Sequence, residues 1–528
     1  MTRRRLLLVA LAAVTVGACT LSSVGPRTAH PVPSTTPFPS VATSPTTVPT
    51  TSPASTVPTP VRPPDALVAP CEPPGGTTAI GADAIESSRQ LVESLVCSAS
   101  DVVVTEPDTA QDAVHVAAGL GAPLVFATPD QPYDPTQLGA SRVWTPAEEL
   151  VVGGRHSILP LPDVGAVPPL RAQEALMEVD NDTIRESQRG ADPASTLMVL
   201  SSDVPALGAP AGIVADLTGA TTVWSPPGDL RRRRMIAPLA KAADSRLLVG
   251  GFNEASTWQM DVLAKGVELP GGGQVLFPGR RMVALYGHPH TPGLGALGEQ
   301  PVEEAIDRVR GLAEEYATED ASVLPVFEII ATTASASAGA DGDYSAELAV
   351  EEIRPWVDAA AEAGIYVVLD LQPGRTDFLT QARRYEELLR LPHVGLALDP
   401  EWRLGPNQKH LNQIGTVTAD EVNQVVDWLA SIVREDHLPQ KLLVLHQFRL
   451  SMIQDRHEIR TPSELAVVVH MDGQGPLATK YETWQAVLAA GGEGWQWGWK
   501  NFYDEDSPMA TPAQVLDLEP TPVFISYQ

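Results

Sequence analysis

Apolar and polar positions fall into three regimes along the chain. A short apolar stretch, Leu6 to Val16, follows Arg3-Arg4-Arg5. Residues 20 to about 66 then show no period and are dominated by Pro, Thr, Ser and Val. Such a stretch buries too little apolar area to offset ordering entropy, and its prolines favour extended segments, so it predicts a stalk over 19–66. From residue 67 onward β-rich runs alternate with helical periodicity, which predicts an α/β fold.

Within 67–280 the strand Asp101 to Thr105, the Ala-rich helix Asp112 to Gly119 and the strand Gly121 to Thr128 make a βαβ unit. The same order returns as Leu197 to Asp203, Ala209 to Leu217 and Gly219 to Trp224, which predicts a duplicated βαβ domain. From 281 to 528 eight β-rich runs recur: Arg281 to Tyr286, Leu324 to Ile330, Ile365 to Leu371, Val394 to Asp399, Lys441 to Gln447, Leu465 to Met471, Gly494 to Lys500 and Pro522 to Tyr527. Helical periodicity over Val302 to Tyr316, Glu347 to Ala363, Phe378 to Leu391 and Ala419 to Asp436 separates several of them. Eight parallel strands in that length predict a (β/α)8 TIM-type barrel.

Charge narrows the partners. With 65 acidic against 36 basic residues and a formal net charge of -29, the chain repels a phosphate backbone, so no nucleic acid is expected. Beyond the leader, no apolar run reaches the roughly 18 residues that a bilayer span requires. Attachment to a membrane is therefore expected from the chain's end. Basic, apolar and small-residue segments over 1–18 form an export signal. Val16-Gly17-Ala18-Cys19 resembles a bacterial lipobox, which implies that Cys19 is diacylated and anchors the protein at the outer face of the cytoplasmic membrane. Export to an oxidising compartment makes the remaining pair, Cys71 and Cys97, a disulfide candidate.

Both copies in 67–280 resemble the cell-wall-binding repeat of exported proteins of Gram-positive bacteria, through Ile80-Gly81-Ala82-Asp83-Ala84 and Leu248-Val249-Gly250-Gly251. That resemblance implies attachment to wall polymers. An acidic chain makes simple charge attraction a poor means of achieving it.

In a TIM barrel the site is built at the carboxyl ends of the strands. Here those ends carry Glu328, Asp370, Asp399, Glu401, His446, Asp472 and Lys500. Ionisable groups crowded at a barrel mouth point to a polar ligand. Glycoside hydrolysis needs two carboxyl groups and aromatic platforms for sugar faces. Glu401 is the expected general acid and Asp370 or Asp472 its partner, with Asp399 and Glu328 as further candidates. His288, Gln372, Arg375, Trp402, His446, Gln447, Trp497, Trp499, Lys500 and Tyr503 are the expected substrate-binding groups. The region looks like a glycoside-hydrolase-type barrel in a general way, which implies a wall or environmental polysaccharide as partner and neither cofactor nor metal. Strand seven ends in Lys500, where many retaining barrel glycosidases carry a second Glu, so the partner carboxylate stays open between the candidates. A second reading takes His288, His290, His446 and His470 as metal ligands of an amidohydrolase-like barrel. A third makes the barrel a non-catalytic glycan-binding scaffold.

Overall fold

The computed structural model describes residues 67–153, 155–161, 196–226, 228–233, 236–492 and 494–528. The leader 1–18, Cys19 and the stretch to residue 66 lie outside the described residues. Among the described residues no helix is long and apolar enough to cross a membrane.

The N-terminal α/β region contains two four-stranded sheets, each wholly parallel. One runs in the order Leu124–Phe126, Asp101–Thr105, Arg142–Trp144, Ser157–Leu159. The other runs Gly76–Ile80, Ser245–Val249, Thr196–Ser201, Thr221–Ser225. The crossover helices Ala110–Leu120 and Gly208–Thr218 both stop at a glycine in the left-handed region, Gly121 at φ 63° and Gly219 at φ 79°, a conformation only glycine adopts cheaply. Their small side chains let them share one core, with Ala113, Val114 and Ala117 of the first against Ala209 and Ile213 of the second. The two halves are not simple tandem units. An early strand of the region, Gly76–Ile80, pairs with the last, Ser245–Val249, so Ile80 lies opposite Val249. Cys71 and Cys97 are joined, with their Cα atoms 4.8 Å apart.

The C-terminal region is a closed barrel of eight parallel strands. They are β1 (Arg280–Gly287), β2 (Ser322–Ala334), β3 (Tyr366–Leu371), β4 (Val394–Leu398), β5 (Lys441–His446), β6 (Leu465–Met471), β7 (Gln496–Asn501) and β8 (Phe524–Tyr527). Each pairs with the next, and β8 pairs with β1 to close the ring. Successive side chains on a strand point to opposite faces. Val283, Leu285, Phe327, Val367, Leu369, Val467 and Val469 therefore face the surrounding helices. Met282, Ala284, Leu324, Val326, Tyr366, Val368, Leu442, Val444, Val468 and Phe524 fill the interior. Leu269, Leu276 and Phe277, from the segment before β1, join that inner cluster and close the N-terminal pole. The floor is thus apolar and packed.

The helices match their expected positions except one. The helix expected over Phe378 to Leu391 is two pieces, Phe378–Arg384 and Glu386–Leu389. Tyr385 interrupts it, being fully buried with its hydroxyl donating to the carbonyls of Ala331 (2.9 Å) and Leu348 (3.0 Å).

Candidate functional site

The inward-facing positions change character toward the carboxyl end of every strand. Two residues beyond Ala284, Val326, Val368, Ala397, Val444, Val468, Gly498 and Phe524 stand Tyr286, Glu328, Asp370, Asp399, His446, His470, Lys500 and Ser526. Each of the eight strands thus delivers one polar group to a single level, and all eight side chains are buried. Asp472, two residues past His470, adds a further carboxylate at the mouth.

Direct contacts tie this ring together. His446 faces Asp472 Oδ2 through Nδ1 at 3.1 Å and Glu328 Oε1 through Nε2 at 3.1 Å. Its Nε2 is also 3.7 Å from Asp370 Oδ1. The Tyr286 hydroxyl donates to Asp370 Oδ2 at 2.9 Å and accepts from Gln372 Nε2 at 3.3 Å. Lys500 Nζ lies 3.5 Å from the centre of the Tyr286 ring, a cation over a π face. Ser526 Oγ is 3.2 Å from His470 Nε2. Asp399 caps the short turn that follows β4, accepting the Glu401 amide at 3.2 Å.

Burial drives the ionisation of these groups apart. Loss of hydration pushes Asp370 up to about 6, with His446 opposing and Glu328 adding to the rise. It holds Asp399 well above the usual carboxylate range, with Asp370, Asp472 and Glu401 adding to the rise against His446. Glu401 is pushed up to about 7, first by burial and then by the charge of Asp472. Asp472 goes the other way: burial opposes its ionisation, but the His446 hydrogen bond and charge outweigh it and hold it below the usual range. Burial alone would lower His446, yet the hydrogen-bonded Asp472 and Glu328 raise it well above an ordinary imidazole. His470 is depressed by burial and by the charges of His446 and Lys500.

The second tier is structural. Lys480 and Asp506 form an ion pair with both side chains buried. Lys480 also donates to the Lys500 carbonyl at 2.6 Å. Asp506 accepts the amides of Gly475 (2.9 Å) and Phe502 (3.0 Å). The loop that follows Asp472 is thereby stapled to the end of β7.

Of the expected site residues, Glu328, Asp370, Asp399, Glu401, His446, Asp472 and Lys500 converge, and Gln372 reaches the ring through Tyr286. Trp402 follows Glu401, is half-buried, and meets the His410 ring edge-on with centroids 5.4 Å apart. Arg375 lies 4.4 Å over Tyr344 and donates to the Gln408 carbonyl at 2.9 Å, so it braces mouth loops rather than facing the ring. The remaining expectations are corrected by strand geometry. Trp499 is fully buried against Trp484 and the helices, because Gly498 and Lys500 take the inward positions of β7. Trp497 shares that outward face, stacked edge-on with Trp484 and Trp495. Gln447 accepts from Arg456 and donates to the Leu450 carbonyl, a buttress behind the site. Tyr503 packs on outward-facing Tyr527 beneath Arg308. His288 and His290 contact one another, their ring centroids 6.0 Å apart, and make no described contact with His446 or His470. Tyr286, His470 and Ser526 are ring members absent from the expected substrate-binding set, and two-residue alternation read up each strand is the signal that finds them.

A separate carboxylate cluster, Asp341, Asp343 and Glu347, lies on the loop after β2. Its oxygens already hold the Ser345 amide, the Thr376 hydroxyl and Arg384.

No family model matches the sequence, and neither does any curated protein sequence. Among solved structures, 7,8-dihydropteroate synthase from Vibrio fischeri ES114 aligns over 47% of this chain and 87% of its own, at 11% identity and a TM-score of 0.26. That likeness carries no inference about activity.

Proposed function

We propose that the barrel mouth binds a glycan and hydrolyses it by carboxylate acid/base chemistry, with Glu401 as general acid and Asp472 as the ionised partner. One observation carries the reading: two interacting carboxyl groups are driven to opposite sides of their usual range, Glu401 up to about 7 and Asp472 downward. Such a split supports a proton-bearing role for Glu401 and a charged role for Asp472. Asp370, the other partner considered, is pushed upward and fits the ionised role less well. The carboxylates of the ring also suit the positive charge that develops on a sugar ring as its glycosidic bond breaks. Trp402 offers the adjoining aromatic platform.

The proposed place of action rests on the sequence of the N-terminus: a lipid on Cys19 would hold the protein at the outer membrane face, the Pro/Thr/Ser stretch would carry the barrel into the wall, and the α/β region would bind wall polymer. The test uses wall-derived oligosaccharides. Reducing ends are expected to appear with the parent chain, while Glu401→Gln binds the same oligosaccharide with turnover lowered by about a hundredfold or more. Binding without turnover in the parent makes the barrel a scaffold. Failure of every glycan to bind refutes the reading.

A further inference from the structure

We propose that the ring holds one divalent transition-metal ion between Glu328, His446 and His470, with Asp370 as a further donor beside His446. The inference goes beyond the glycan reading and does not depend on it.

The spacing is the first support. Metal–ligand bonds of about 2.0–2.2 Å put neighbouring donor atoms roughly 3.0–3.6 Å apart. His446 Nε2 is 3.1 Å from Glu328 Oε1 and 3.7 Å from Asp370 Oδ1. The second distance is too long for a hydrogen bond and close to the edge of a coordination polyhedron. Glu328, His446 and His470 each offer a ligand atom within 4.8 Å of the others, and all three are fully buried.

Orphaned oxygens are the second support. Glu328 Oε2 and Asp370 Oδ1 are sealed from solvent and have no hydrogen-bond partner. A buried carboxylate oxygen left unsatisfied is costly. A proton on His446 would serve Glu328 Oε1 but would leave these two atoms bare. An ion held by both oxygens of Glu328 and by Asp370 Oδ1 would satisfy them.

The third support lies behind the donors. The other nitrogen of His446, Nδ1, is held by Asp472 at 3.1 Å, and Asp370 Oδ2 is held by the Tyr286 hydroxyl at 2.9 Å. Carboxylate-to-imidazole contacts of this kind orient metal-binding histidines and fix which nitrogen is free. Imidazole combined with carboxylate suits zinc, cobalt or manganese rather than calcium.

The test takes the full-length chain, stripped with chelator, through equilibration with Zn²⁺, Co²⁺ or Mn²⁺ at neutral pH. Bound metal is counted by elemental analysis, and affinity is measured by titration calorimetry. One ion per chain is expected, with visible absorption bands of a four- or five-coordinate site in the Co²⁺ form. Glu328→Gln and His446→Gln are each expected to weaken binding about tenfold or more. Circular dichroism confirms folding, and Asp370→Asn supplies the same reading if the histidine variant does not fold. Absence of any bound ion in the folded parent overturns the proposal. So does binding unchanged in Glu328→Gln, which would move the ion to Asp341, Asp343 and Glu347. Oligosaccharide binding measured on the stripped chain reads the glycan proposal separately, and Glu401→Gln is expected to keep the ion.

Discussion

Replacing Glu401 by Gln tests whether its raised carboxyl is a functional device or an ordinary buried group. Burial and the charge of Asp472 move this carboxyl from 4.5 to about 7. A decade in an ionisation constant is worth about 1.4 kcal/mol, so holding Glu401 ionised in the fold costs up to about 3 kcal/mol. Partial exposure of the side chain trims that to about 2 kcal/mol. The folded pKa lies above the unfolded one, so between 4.5 and about 7 the folded chain holds more protons and stability falls as pH rises. Below that window the cost is absent, and above it the cost is complete. Gln fills nearly the same volume and never ionises. Glu401→Gln should therefore unfold about 2 kcal/mol harder than the parent near pH 8, and about equally near pH 4. Urea unfolding followed by tryptophan fluorescence at the two pH values measures the difference. Stability gained where turnover is lost marks a strained functional group. A loss of stability near pH 8 that shrinks near pH 4 would show that the Glu401 charge is held by a structural ion pair, and the acid role would fall.

Two further outcomes follow from the tier beneath the ring. Lys480→Met leaves Asp506 charged and buried with only the Gly475 and Phe502 amides, so it should cost about 3–5 kcal/mol in the same unfolding assay; a loss under about 1 kcal/mol would mean the pair contributes little. Gly498→Ala places a methyl 2.7 Å from the His470 ring and 3.0 Å from the Phe524 carbonyl. It should cost about 1–3 kcal/mol and shift the His470 ring resonances in NMR spectra, whereas unchanged resonances would show that β7 yields instead.

The barrel was legible because its strands are apolar runs separated by amphipathic helices, and periodicity reports both. Most carboxylates of the ring were legible because they stand at or near the ends of those runs, whereas Glu328 lies inside its strand. What escaped was the face each residue presents. In Gln496 to Lys500 simple alternation sets Gly498 and Lys500 against Trp497 and Trp499, so two tryptophans at a strand end are lining for the helices rather than for the mouth. Ser526 and Tyr286 read as ordinary strand residues until the register places them beside Lys500 and Glu328. The pairing of Gly76–Ile80 with Ser245–Val249 joins segments from opposite ends of the α/β region, and no local pattern encodes so distant a neighbour.

The plug formed by Leu269, Leu276 and Phe277 also sets how force would pass through the molecule. Because the connecting segment is itself the stopper of the barrel, a pull on the α/β region cannot swing the barrel mouth like a bucket on a rope. The two would turn together as a wrench and its head, so any hold on the first part would fix the direction in which the open mouth points.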